Sequence, residues 1–258
     1  MYKVCAAAQD VRVLSAPLAA ESFAVVEESV LAQVLPSTRL LFICSPGNPT
    51  ATSVPLAIVE RLLQHEKLAR CIVVVDEAYV DFSASERSAA PLVAKYERLV
   101  VLHTLSKAFG LAGARVGTAI ASEKIVKHLN AVKAPYSINK MTSKLAQDAL
   151  GAQGLKALHK TVAETLVERA TLATALENLP FVHTVFKSDA NFLLFRLRQH
   201  EMAKPLYTAL ADAGVVIRFR GDQPNCSGCL RVTVGTPEHN KAFLERFVET
   251  AKTFGLRV

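Results

Sequence analysis

Lys107 lies in the stretch His103 to Gly117, HTLSKAFGLAGARVG, with Ser106 just before it and Arg115 eight positions later. A lysine amine can form a Schiff base with an aldehyde, and hydroxyls with a guanidinium can hold a phosphate. These residue types sharing one loop suit a cofactor that carries both groups, and pyridoxal phosphate is such a compound. Lys107 by itself is a weak signal, because a solvated surface lysine has the same sequence appearance. Its weight depends on what the rest of the chain brings to it.

Asp76 ends the apolar run CIVVV. A carboxylate there can cap a helix. It can equally pair with a pyridinium nitrogen and keep that ring protonated, so that the ring accepts electrons. Tyr79 is either a core aromatic or a hydroxyl donor to the cofactor's ring oxygen. Asn48, between Gly47 and Pro49, favours a turn, and its amide is a second donor to the same oxygen. Thr104, Ser106 and Arg115 supply charge-assisted hydrogen bonds to a phosphate. Arg218 and Arg231 fall on separate apolar runs, GVVIR and CLRVTV. Either is an ordinary exposed strand charge when taken alone; together they make a fork suited to a phosphate or carboxylate. Asn191, in SDANF, orients a bound substrate or fixes a turn. Cys226 and Cys229 form a CxxC, but neither a helix N-terminus nor a second ligand pair accompanies it. They are expected to be loop cysteines, with no metal site. His103 is expected to be structural.

The elements that must position these groups follow from apolar patterning. Leu40 to Cys44, Cys71 to Val75 and Arg98 to Leu102 are continuous apolar runs and read as buried strands. Residues 11–18 and 115–121 read as further strands, and residues 22–35 and 54–64 as helices. Strands alternating with helices predict a parallel α/β sheet. Ligands bind outside the carboxyl ends of such strands. Asn48, Asp76 with Tyr79, and Lys107 each fall just past the end of a different strand, which brings them to one crevice. Beyond residue 133 the texture changes. Helices are expected over 139–150, 155–179 and 237–254, and strands over 191–197, 215–219 and 230–234. This predicts a large domain over 1–140 and a smaller α+β domain over 141–258.

Composition limits the alternatives. The 258 residues are 51% hydrophobic and 21% charged, as in a globular chain. No apolar run approaches the roughly 18 residues of a membrane span, and no signal-like apolar core opens the chain. A cytoplasmic location is expected. Five irregularly spaced cysteines argue against a disulfide framework. The formal net charge is +7, yet there is no Trp and no basic run interleaved with aromatics. Anionic small molecules are therefore expected as partners rather than nucleic acid.

SPGNPT, VVVDEAYVDF, TLSKAFGLAGARVG, SDANFLLF and CLRVTVGT occur in this order. The chain so resembles the fold-type I pyridoxal-phosphate aminotransferases, and among them the histidinol-phosphate aminotransferases, over essentially its full length. The resemblance implies an α/β large domain, a mostly parallel sheet with helices on both faces, plus the smaller α+β domain, and a homodimer. It implies Lys107 as the Schiff-base lysine, Asp76 as the pyridinium partner, Tyr79 and Asn48 at the ring oxygen, and Ser106 and Arg115 at the phosphate. Arg231 would receive the acidic group of the substrate and Arg218 its phosphate. The implied reaction is transamination of a phosphorylated amine, histidinol phosphate, with a 2-oxo acid. An aromatic aminotransferase, a phosphothreonine-type decarboxylase and a non-catalytic remnant remain alternatives.

Relatives carry a further N-terminal portion, with strands of the large sheet, a phosphate-cradling turn and a stacking aromatic in a PTYGMY-like stretch. This sequence opens at the last two letters of that stretch. Weak cofactor retention and little activity are the corresponding expectation for these 258 residues. Ala51 stands where relatives usually carry glycine after PT.

Overall fold

The computed structural model describes residues 2–84 and 87–258. Helix α1 (Tyr2–Ala8) and helix α2 (Glu27–Gln33) precede strand β1 (Leu40–Cys44). Helix α3 (Leu56–Gln64), strand β2 (Ile72–Asp76), strand β3 (Leu99–Thr104) and strand β4 (Gly117–Ala121) complete the first layer. Helices α4 (Glu123–Val132), α5 (Lys140–Leu150) and α6 (Ala152–Glu177) lead to the second. That layer holds β5 (Val182–Val185), β6 (Phe192–Leu197), α7 (Ala203–Asp212), β7 (Arg218–Phe219), β8 (Cys229–Thr233) and α8 (Pro237–Thr253).

The first sheet has strand order β1-β2-β3-β4, with β1, β2 and β3 parallel and β4 antiparallel to β3. Central β2 buries Val73, Val74 and Val75, which explains its unbroken apolar run. On α3, Val59, Leu62 and Leu63 recur at helical spacing and pack on Val73, Val75, Leu99 and Val101. The second sheet has order β5-β6-β8-β7 and its described pairings are antiparallel. Leu193, Phe195 and Leu197 of β6 share a core with Leu206 and Leu210 of α7, and with Phe243 and Phe247 of α8. Leu172 and Leu176 bring the end of α6 into the same core.

Several expected elements change. Residues 11–18 alternate like a strand but form none, because no described strand pairs with them. The helix expected over 22–35 shrinks to α2. Phe23 has a φ of +54°, which a helix cannot contain, and its ring instead meets Phe186 at 4.9 Å. The strand expected over 115–121 begins at Gly117, since Arg115 is left-handed at φ +56°. Only Arg218 and Phe219 of the 215–219 run pair with β8. Strand β3 runs on through His103 and Thr104, and β5 and α1 were not expected. The expected division at residue 140 falls at the start of α5. Residues from the N-terminal side nevertheless pack on the second sheet: Arg196 Nη1 donates to both Glu21 carboxylate oxygens at 2.8 and 2.9 Å, and Asn225 Nδ2 donates to the Leu18 carbonyl at 3.2 Å.

Candidate active site

Because β1, β2 and β3 are parallel, their carboxyl ends open on the same side of the sheet. Asp76 closes β2, in register with Cys44 on one side and Leu102 on the other. Its Oδ1 accepts the Ala78 backbone N–H at 3.0 Å. Its Oδ2 accepts the hydroxyl of Tyr2, whose ring lies 4.4 Å from that of Phe42. Burial, and then the bond to Asp76, push the Tyr2 phenol above its ordinary range, so it stays a proton donor. An ionised carboxylate offers about four lone-pair positions. Two are used here. Glu77, next in the chain, takes no part. It is 2% exposed and accepts from Ser88 Oγ at 2.5 Å and the Ala89 N–H at 2.6 Å. Burial pushes its pKa up against those two bonds.

Lys107 sits in the turn that leaves β3, its carbonyl accepting the N–H of Gly110 at 2.9 Å. Gly110 has a φ of +68°, a conformation glycine adopts without steric cost. The Lys107 ammonium faces the Tyr79 ring at 5.3 Å and has no acidic partner among the described residues. Tyr79 meets Phe192 of β6 edge to face at 5.2 Å. The guanidinium of Arg231 in β8 stacks on the other contact of Phe192, 4.7 Å from its centroid. Arg231 Nη1 then donates to Asn48 Oδ1 at 2.7 Å. Lys107, Tyr79, Phe192, Arg231 and Asn48 thus form one continuous chain of contacts across the two sheets.

Arg231 is the electrostatic centre of this chain. Its Nε is buried without a hydrogen-bond partner among the described residues. Burial depresses its pKa, and Arg220 and Arg218 lower it further. Arg218 is in register with Arg231 and bonds its own neighbour, the Ile217 carbonyl, at 2.9 Å. A buried donor left open amid like charges is a place for an anion.

The remaining expected residues are placed unequally. Thr104 Oγ1 lies 3.0 Å from Ser106 Oγ and accepts the Ser106 N–H at 3.1 Å, so these hydroxyls are held together. Arg115 bonds the Ala112 carbonyl of its own turn at 3.0 Å. Asn191 enters through its backbone, its carbonyl accepting the Val234 N–H at 2.9 Å. His103 bonds Asp81 through Nε2 at 3.0 Å, a structural pairing. Tyr2, Phe192 and Arg220 are absent from the expected set. Phe192 directly follows Asn191, but an aromatic inside an apolar strand carries no local sign that it will underlie an arginine.

The donor set fits a phosphate-bearing aldehyde cofactor. An unpaired lysine amine, an oriented carboxylate with free lone pairs and a linked hydroxyl pair stand at adjacent strand ends. An arginine with an open donor serves an acidic substrate group.

The family model for aminotransferase class I and II matches residues 1–247. The chain is 43% identical to histidinol-phosphate aminotransferase of Saccharomyces cerevisiae over 259 residues, covering 97% of this chain and 66% of that protein. It is 40% identical to histidinol-phosphate aminotransferase of Cytophaga hutchinsonii, covering 95% and 68%. It thus spans about two thirds of the length of these relatives. The crystal structure of histidinol-phosphate aminotransferase from Sinorhizobium meliloti in complex with pyridoxal-5'-phosphate superposes with a TM-score of 0.86. At 20% identity it covers 98% of this chain and 68% of that one, and shows that the fold is shared. The chain belongs to the class I and II aminotransferase family, among the histidinol-phosphate aminotransferases.

Proposed function

We propose that this site binds pyridoxal phosphate and transaminates histidinol phosphate, with 2-oxoglutarate and glutamate as the second pair, in histidine biosynthesis. One observation carries the reading: the contact chain from Lys107 through Tyr79 and Phe192 ends on Arg231, whose buried Nε is open for an anion. It joins a reactive amine to an anion receptor in one crevice. The names of the curated relatives supply the substrate, and the Sinorhizobium meliloti structure supplies the cofactor.

When bound, the cofactor supplies an aldehyde that takes up an amine and a ring that accepts electrons from the adjoining carbon. Asp76 holds the ring nitrogen, Tyr79 and the Asn48 amide hold the ring oxygen, and Thr104, Ser106 and Arg115 hold the phosphate. Lys107 Nζ takes up and returns the proton that changes position in the reaction. Lys107 Nζ stands over the Tyr79 ring, 5.3 Å from its centroid, beside the hydroxyl-bearing side chain that serves the ring oxygen. Arg231 and Arg218 bind the acidic groups of substrate, and Asn191 helps to orient it. The protein is proposed to act as a homodimer in the cytoplasm.

Lys107→Ala is the test. It should abolish turnover of histidinol phosphate with 2-oxoglutarate, and also the near-ultraviolet absorbance of cofactor bound through the lysine. Normal turnover in that variant would refute the assignment. A panel of amines separates the related alternatives: preference for phenylalanine, or release of carbon dioxide, would replace histidinol phosphate as the substrate.

A further inference from the structure

Outside the crevice, Cys226 lies in the loop between β7 and β8 and Cys229 opens β8. The Cys229 N–H donates to the Cys226 carbonyl at 2.9 Å and Gly228 has a φ of +71°, which closes Cys226-Ser227-Gly228-Cys229 as a tight turn. Such a turn holds its first and last Cα atoms within about 7 Å. A disulfide needs about 4.4–6.8 Å. The Cys229 thiol donates to the Ser227 carbonyl at 3.8 Å inside this turn, and the neighbouring Cys226 thiol lowers the Cys229 pKa while its own is raised.

A second group faces them. Arg196 of β6 is in register with Cys229 and is 8% exposed. Its Nη1 is used by Glu21 and its Nη2 donates to the Asn225 carbonyl at 2.9 Å. Its Nε is buried and has no nitrogen or oxygen partner among the described residues. Strand register sets this guanidinium beside Cys229, and after Cys226 it is the group that lowers the Cys229 pKa. A thiolate formed at Cys229 would face a guanidinium whose Nε is unfilled. Glu21 and Asp222 are the acidic groups near the pair.

We propose that Cys226 and Cys229 are a reactive dithiol site, oxidised by a hydroperoxide to an intramolecular disulfide. The Cys229 thiolate attacks one peroxide oxygen. The O–O bond breaks, and the leaving hydroxide takes up a proton to become water. Cys229 is then a sulfenic acid. The Cys226 sulfur attacks the Cys229 sulfur, the S–O bond breaks, and the Cys226 proton leaves with the hydroxyl as a second water. Two electrons pass from the sulfurs to the peroxide. Both cysteines are buried against Phe23, Phe186 and Leu194, while Asp222 to Asn225 and Ser227 of the same loop are exposed, and hydrogen peroxide is close to water in size. The other cysteines serve as internal comparisons. Cys71 is buried on the Thr38 carbonyl at 3.4 Å, with its thiol pushed up by burial, and Cys5 and Cys44 are exposed.

The test uses the reduced chain and hydrogen peroxide at pH 7, with peptide mass spectrometry before any reductant is added. The expected product is a 226–229 disulfide that forms while Cys71 remains a thiol. Cys226→Ser should stop at a sulfenic acid on Cys229, trapped by a 1,3-dione. Arg196→Gln should slow oxidation of Cys229 roughly threefold for each unit its pKa recovers, the loss of thiolate being partly offset by greater nucleophilicity, with the pH profile moving to higher pH. Circular dichroism checks that the variants are folded. A wild-type chain in which Cys229 reacts no faster than Cys71, or in which Cys5 and Cys44 oxidise while the pair stays reduced, overturns the proposal.

Discussion

Arg169 of α6 ties the two layers together. Its Nη1 donates to the Ala190 carbonyl at 2.7 Å and to the Phe82 carbonyl at 3.2 Å. Phe82 lies just past Tyr79, and Ala190 just before Phe192, so this one side chain pins both halves of the aromatic contact in the crevice. Burial lowers the Arg169 pKa, which shows that its charge is partly desolvated. Arg169→Met keeps most of the aliphatic stem and removes both donors. A hydrogen bond to a charged group contributes about 1.5–3 kcal/mol. The longer bond to Phe82 falls at the weak end. The Ala190 carbonyl keeps a partner in Ser188 Oγ at 3.3 Å, so its orphaning is incomplete. Removing the desolvated charge offsets part of the loss. The expected net destabilisation is about 2 kcal/mol. With a urea slope of about 1–3 kcal/mol per molar, the midpoint should fall by about 1 M. Equilibrium unfolding read together by tyrosine fluorescence and far-ultraviolet circular dichroism measures it. A change below about 0.5 kcal/mol, the range of ordinary surface substitutions, would show that Arg169 does not hold the layers together.

Two other outcomes follow from the polar pairs. Asp81 raises the pKa of His103 through their hydrogen bond, against the opposing effect of burial. Because the folded value lies above the unfolded one, the pair's stabilisation is complete below about pH 6.5 and is lost as pH rises through the folded value. His103→Gln should flatten thermal stability across that window, and an unchanged pH dependence would remove the pair from the account. Arg98 donates to the carbonyls of Leu63, Leu68 and Cys71 at 2.7, 2.5 and 3.0 Å, closing the connection from α3 to β2. Arg98→Ala should cost about 2–4 kcal/mol of unfolding free energy, and a loss no larger than that of Arg70→Ala would count against it.

Strand β2 was legible because burial leaves an unbroken apolar run, as in Ile72 to Val75; β1 carries the same kind of run but was not the buried strand expected, since Leu40 is 51% and Phe42 41% exposed. Their shared direction predicted that Asn48, Asp76, Tyr79 and Lys107 follow carboxyl ends on one side of the sheet, and the structure links Lys107 and Tyr79 to Asn48 only through Phe192 and Arg231. The failures share one physical origin. Residues 11–18 and 215–217 have strand-like composition, but a strand exists only with a partner, and pairing is a long-range event invisible to a local pattern. Val216 is accordingly left 63% exposed. The bond from Arg231 to Asn48 joins positions 183 apart. Sequence offered both residues as candidates but not their contact. The sequence likewise did not show that the Arg115 backbone is left-handed or that its guanidinium bonds the Ala112 carbonyl of its own turn. Tyr2 was placed at the end of the PTYGMY-like stretch but without a role, because nothing in MYKV distinguishes a tyrosine that reaches a carboxylate 74 positions away.

The bond from Arg231 to Asn48 spans the crevice between the turn after β1 and strand β8, and it leaves Arg231 Nε to a ligand. An acidic substrate group that meets Nε is received by a side chain whose position Asn48 and the Phe192 ring already fix. The rotamer freedom of that long side chain is lost on folding rather than on binding, and a preorganised receptor binds more tightly than a mobile one. A neutral analogue of the same shape gains nothing from this preparation and leaves the buried donor open.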